Sequence, residues 1–360
     1  MPFNNIKLYN FRNLLDKEIS LNGREIFLIG ENGQGKTNFL EAIYVLCYGS
    51  SFRTKQDKIL IKNQKDDFSA IGQYFQDEME HKIHFKLQKG KKSILIDDKQ
   101  LRDRKELIWK LPCIVFSHED IFLVSGTPEE RRNFFDQTLS LYDPDYIDLL
   151  REYKKILKHR NIVLKRNEKE LIDILNIQIV SKGLELRNYR SAITKKFNKV
   201  FSQLFKYVSQ LESDLFIEYK PSWKENDTSV IIKNLERKFE QENILGITTS
   251  GPHRDNYRFI MEGKDFSQLA STGQSRLISL ILKVAQGVFF TQETGKKPIL
   301  LLDDVLLELD SKKRARFLEV IPEYDQAFFT FLPDMANLSY RKDDTIVYSV
   351  ESGDFITYEK

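Results

Sequence analysis

The chain has 360 residues and a mass of 42.5 kDa, with 41% hydrophobic and 30% charged residues, a balance that suits a globular protein with apolar material for two cores. A formal net charge of only +3 leaves any nucleic-acid contact to a local concentration of Lys and Arg, and two cysteines, Cys47 and Cys113, are too few for a disulfide framework or a cysteine metal site. No run approaches the roughly 18 apolar residues of a membrane span, and Met1 to Ile6 lacks the sections of a signal peptide, so the expectation is a cytoplasmic protein without membrane attachment.

Strand and turn signals alternate through the first quarter: Asn5 to Phe11, Glu25 to Ile29, a helical pattern over Thr37 to Tyr48, then strands at Ile94 to Asp97 and Cys113 to Phe116. Thr127-Pro128-Glu129-Glu130 is a capping box with proline at N1, and Asp143-Pro144 repeats the cap-plus-proline start. Tyr146, Leu150, Tyr153, Leu157 and Leu164 then form one apolar stripe, and a second helical stretch covers about 171–211. A further helix is expected over about 229–242, a strand-like segment over Ile244 to Thr248, and α/β patterning from there on. The predicted organisation is an α/β head split into 1–120 and 244–360, interrupted by a helical arm over 121–243.

Gly30-Glu31-Asn32-Gly33-Gln34-Gly35-Lys36-Thr37 fits G-x-x-x-x-G-K-[ST], with the apolar strand Ile26 to Ile29 before it and an amphipathic helix after it. The glycines let backbone N–H groups wrap phosphates and the helix N-terminus adds its positive end, with Lys36 placed for the β- and γ-phosphates of ATP and the Thr37 hydroxyl for Mg²⁺. Pro298 to Leu302 reads as a buried strand ending in Asp303 and Asp304, the first acid placed for Mg²⁺ and the second for orienting water. Lys36 and Asp303 lie 267 positions apart (303 − 36), so a large segment is inserted between two halves of one site. Ahead of a helix over about 274–290 stands Leu269-Ala270-Ser271-Thr272-Gly273-Gln274, a turn of the anion-binding type.

Gln274 precedes Asp303 by 29 positions (303 − 274), which is similar to the spacing between signature and Walker B in ABC-class ATPases. That likeness implies that Ser271, Gly273 and Gln274 of one subunit cover the nucleotide held by another. Glu308-Leu309-Asp310 then stands where those proteins communicate between sites.

The ordered set of motifs resembles the RecF family of bacterial DNA replication and repair proteins, relatives of the SMC heads. The resemblance runs through Leu8 to Asn13, the phosphate loop with Thr37-Asn38, Ser51-Phe52-Arg53, Phe116 to Asp120, Glu130-Arg131-Arg132, Gly251-Pro252-His253-Arg254-Asp255, Ser271 to Gln274, and Leu301 to Val305. It implies an ABC/SMC-type ATPase head with an inserted helical arm, Lys36, Asp303 and Asp304 as catalytic residues, and weak DNA-stimulated ATP hydrolysis. It further implies an ATP-dependent homodimer on single-stranded, gapped or duplex DNA, cooperation with RecO and RecR in loading recombinase, and a place in the SOS response to DNA damage. Three departures stand out: the strand Phe328 to Phe331 lacks the histidine that ABC transporters carry there, the signature has Thr272 in place of glycine, and Val305 to Leu307 is apolar.

Arg151 to Lys206 holds 15 Lys or Arg against 5 Asp or Glu, either a DNA-contacting face or the solvated side of long helices. His253 and Arg254 could serve nucleotide, DNA or a local carboxylate. The alternative functions are a transporter ATPase subunit, which the insertion over 127–243 disfavours, and a nucleotide-gated scaffold whose ATP serves only to join two copies.

Overall fold

The structure, a computed structural model, describes residues 2–76, 78–335 and 341–358, without the side chains of Glu308 and Met335. In chain order its strands and helices begin β1 (Phe3–Tyr9), β2 (Lys17–Ser20), β3 (Glu25–Ile29), α1 (Lys36–Tyr48), β4 (Phe68–Gln76), β5 (Met79–Gln88), β6 (Lys91–Ile96), β7 (Lys99–Gln100), α2 (Lys105–Lys110) and β8 (Cys113–Phe116). There follow α3 (Phe122–Ser125), α4 (Pro128–Tyr142), α5 (Pro144–Arg166), α6 (Lys169–Ser209), β9 (Leu215–Lys220), α7 (Thr228–Arg237), α8 (Phe239–Leu245), β10 (Asn256–Met261) and β11 (Lys264–Asp265). The chain closes with α9 (Thr272–Thr294), β12 (Ile299–Leu302), α10 (Ser311–Val320), β13 (Gln326–Phe331), β14 (Thr345–Glu351) and β15 (Asp354–Thr357). None of the described helices is long and apolar enough to cross a membrane.

Two compact units divide the chain, 1–120 with 290–360, and 121–289. The first crossing between them follows Asp120. The second lies well beyond the expected 244, because the stretch in between is tied to the arm: β10 pairs antiparallel with β9, and Tyr257 of β10 stacks on Phe135 of α4 at 3.9 Å.

In the first unit a six-stranded sheet runs β15-β14-β3-β13-β12-β8, parallel except for the β14–β15 hairpin. Strands β3, β8, β12 and β13 are buried at every residue, the signature of parallel strands covered on both faces. An antiparallel sheet, β2-β1-β4-β5-β6-β7, stands apart from it in the same unit. Helix α1 is buried at eleven of its thirteen positions, and it packs on β8 and β13 of one sheet and on β4 and β5 of the other. A helix without a polar face is stable only when enclosed in this way. Cys47 and Cys113 are buried here, as their apolar neighbours predict.

The second unit is not purely helical. Its long α5–α6 pair is joined by a three-stranded sheet, β11-β10-β9, that the sequence pattern did not reveal. The predicted strand over Ile244 to Thr248 is absent: Ile244 and Leu245 finish α8, and Gly246 at φ 65° caps it in the left-handed conformation. Thr248 is bonded sideways, its amide and hydroxyl donating to Asn161 Oδ1 at 2.8 and 2.7 Å. The expected single helix over 229–242 is broken at Lys238 into α7 and α8.

Charged side chains build much of this unit's interior. Arg190 donates to Asp136 at 2.8 Å and to Asp255 at 2.9 Å, while Arg160 donates to Glu242 at 2.7 Å with neither side chain exposed. Fully enclosed charges persist only when paired and hydrogen-bonded in this way.

Candidate nucleotide site

The all-buried β3 delivers the chain to Gly30, and α1 begins at Lys36, so the six residues between them make a tight loop over the sheet edge. Two glycines are required by geometry. A Cβ on Gly30 would stand 2.4 Å from the Val350 carbonyl oxygen, and Gly35 sits at φ 121°, a conformation closed to side chains. The β14–β15 turn braces the loop from outside, with the Gly353 amide donating to the Gln34 carbonyl at 2.8 Å and the Ser352 amide to Gln34 Oε1 at 2.6 Å. On the other side Asn13 Nδ2 donates to the Gly33 carbonyl at 3.1 Å and Asn38 Nδ2 to Asn13 Oδ1 at 2.7 Å.

Lys36 is 4% exposed, and its ammonium donates to the carbonyls of Gly30 at 2.6 Å and Glu31 at 3.1 Å. The Thr37 hydroxyl donates to Asp303 Oδ1 at 2.8 Å, joining two residues 266 positions apart. Asp303 follows β12, whose register between β8 and β13 sets it beside the loop. Burial holds its carboxyl above the usual carboxylate range and the Asp304 charge adds to this, while the bond from Thr37 and the nearby Arg53 pull it back. Lys36, Thr37, Asn38, Arg53 and Asp304 line, with Glu31, Asn32, Gly33 and Gly35, a cavity of about 240 Å³. At Gly33 a Cβ would meet nothing within 4 Å among the described residues. A glycine cradle with a buried ammonium beside it suits a polyphosphate, and an adjoining hydroxyl and carboxylate suit Mg²⁺, so the residues present fit both groups.

Of the residues read from sequence, Gly30 to Asn38, Asp303 and Asp304 therefore meet at one place. Ser271, Gly273 and Gln274 belong to the second unit, where the Ser271 amide donates to Gln274 Oε1 at 2.9 Å and the Gln274 amide to Ser271 Oγ at 3.2 Å. Ser271 to Gln274 are all exposed, and a Cβ at Gly273 would meet nothing within 4 Å among the described residues.

Three further groups escaped the sequence reading. Arg53, noted only within a family block, lines the cavity and donates to Asn38 Oδ1 at 2.8 Å. Glu41 is fully buried and accepts from both Arg12 Nε and Arg12 Nη2 at 2.8 Å, a fork that pins the end of β1 to α1. Thr330 touches both acids after β12, and its place in an apolar strand gave no sign of this. The chemistry left open for His253 is resolved: Nε2 donates to the Thr248 carbonyl at 3.0 Å, so Nδ1 accepts from the Tyr153 hydroxyl at 2.7 Å. Both nitrogens are spent inside the second unit. Arg254 is exposed. Three of the 15 basic residues counted in the arm, Arg160, Arg187 and Arg190, are buried in internal networks, which reduces the outward set to 12.

Comparison with known proteins bears directly on these motifs. Residues 2–347 match the family described as RecF/RecN/SMC N terminal domain. A DNA replication and repair protein RecF of Treponema pallidum (strain Nichols) is 41% identical over 345 residues, covering 96% of this chain and 98% of that protein. Among solved structures, the recombination mediator protein RecF-ATP of the RecFOR pathway superposes with a TM-score of 0.88 at 28% identity, over 99% of this chain and 98% of that one. An Smc head domain of Pyrococcus furiosus, at a TM-score of 0.57 and 16% identity, shares the fold. An ABC/SMC-type ATPase head, a phosphate loop bonded to a distant strand-end acid, and a near full-length match therefore agree, and the chain belongs to the RecF family of DNA replication and repair proteins.

Proposed function

We propose that the chain is an ATP-gated DNA-binding protein of recombinational repair, two copies of which close over ATP on single-stranded or gapped DNA and act with RecO and RecR to load recombinase. The observation that carries this reading is the 2.8 Å bond between Thr37 and Asp303, which closes the two halves of a nucleotide site beside an open glycine cradle. Lys36 would exchange its two carbonyl partners for phosphate oxygens, and Thr37 with Asp303 would hold Mg²⁺. Bound there, the cation would offset charge on the phosphates. Asp304 would orient water; its short side chain suits slow turnover. The exposed turn Ser271 to Gln274 offers a serine hydroxyl and helix N-terminal amides to a phosphate held by a second copy, which makes ATP the condition for pairing. The outward basic residues of α5 and α6 would meet the DNA backbone without reading sequence.

Sedimentation of the native protein and of Lys36→Met, with and without ATP and gapped duplex, tests the reading. ATP should convert the native protein to a dimer and leave the variant monomeric. A native chain that stays monomeric with ATP and gapped DNA overturns it.

A further inference from the structure

Resting on the nucleotide-site reading, we propose that Thr330 is a positioning residue for Asp304, fixing the backbone conformation from which that carboxylate faces the cavity. Asp304 has φ 53°, in the left-handed region, which costs a non-glycine residue about 1 kcal/mol or more unless its surroundings impose it. The restraint is visible. The Asp304 amide donates to Thr330 Oγ1 at 2.7 Å, and the same hydroxyl lies 2.9 Å from Asp304 Oδ1 and 3.2 Å from Asp303 Oδ1. A hydroxyl has one proton to give. Asp303 Oδ1 already accepts from Thr37 at 2.8 Å, and the shorter contact assigns the Thr330 proton to Asp304.

Residue 304 is thus held at two points, amide and carboxylate, by one atom on the neighbouring strand. Register makes this possible: Leu302 pairs with Phe329, so Thr330 stands one step beyond the end of β12, level with the acids. Thr330 is 3% exposed and is not among the residues that line the nucleotide cavity. It therefore acts on the geometry of Asp304 and not on nucleotide affinity. Valine has the same shape but neither accepts nor donates; serine keeps the hydroxyl.

The experiment compares native protein, Thr330→Val and Thr330→Ser in three measurements: hydrogen exchange at the Asp304 amide without nucleotide, equilibrium affinity for a fluorescent ATP analogue, and steady-state ATP turnover with DNA. In T330V the Asp304 amide should exchange about 10-fold faster, as loss of one hydrogen bond predicts. Its kcat should fall by about 10²-fold, the scale of a misplaced reacting group, while analogue affinity stays native. T330S should match the native protein in all three. Native exchange at Asp304 in T330V, or T330S behaving as T330V, overturns the proposal; Thr330→Ala supplies the same comparison where T330V does not fold. A native chain that neither binds nor hydrolyses ATP removes the nucleotide reading instead, and the exchange measurement still decides what Thr330 holds.

Discussion

His253 shows how a side chain singled out for chemistry can be spent on structure. Burial pushes its pKa down to about 4 from an ordinary 6.5, so between those values the unfolded chain binds a proton that the folded chain refuses. The resulting stability is full above pH 6.5 and is lost as the pH falls towards 4, by about 3 kcal/mol. Burial also pushes His84 down to about 4 in the other unit, which adds a loss of the same sign. Urea midpoints measured from pH 7 to pH 4 should therefore fall steeply for the native protein and less steeply for His253→Gln. Equal slopes would mean that His253 is protonated in the folded chain.

Elements were legible where local chemistry alone decides them. The capping box at Thr127 starts α4 as predicted, with the Glu130 amide donating to the Thr127 hydroxyl and the Thr127 amide to the Glu130 carboxylate, and Asp143 caps α5. The limits of β3 and β8 match because both are short apolar runs bounded by turn residues. Strand β9 went unread because only Leu215 and Ile217 are fully buried and no neighbouring segment supplies its partner: β10 lies some forty residues further on, at Lys220↔Asn256 to Leu215↔Met261. The apolar run Ile244 to Ile247 misled in the opposite direction, since its residues are largely exposed and Gly246 ends the helix inside it. At the site, both halves were visible as motifs, but Arg53 is placed by the bend that follows α1, where it reaches back to Asn38, and Thr330 by sheet register, neither of which sequence spacing encodes. Gly183 in the middle of α6 is a comparable case. Alanine there would gain about 1 kcal/mol of helix propensity, yet its Cβ would stand 2.5 Å from Trp223 Cζ3, and overpacking costs about 1–3 kcal/mol. Gly183→Ala should accordingly lower the urea midpoint; a rise would show that Trp223 yields freely.

At the scale of the whole molecule, the proposed ATP-dependent pairing makes the exposed turn at Ser271 a place where folding and assembly can be tested separately. An aspartate at position 273 has open space around it, and its charge would oppose a phosphate on a second copy. Gly273→Asp should leave thermal unfolding and ATP-analogue affinity of the monomer near native while abolishing the ATP-dependent dimer in sedimentation. A variant that still dimerises would place the intersubunit contact elsewhere.

The order of strands carries a consequence for synthesis. Strand β3, apolar and enclosed at every position, has β13 on one side and β14 on the other, and both are translated roughly 300 residues after it. At about 5–20 residues per second that is a wait of about 15–60 s on the ribosome, with the phosphate loop attached to a strand that has no neighbour in its sheet. Newly made chains stalled in this interval carry an open β edge, the feature that chaperones cover and aggregates recruit.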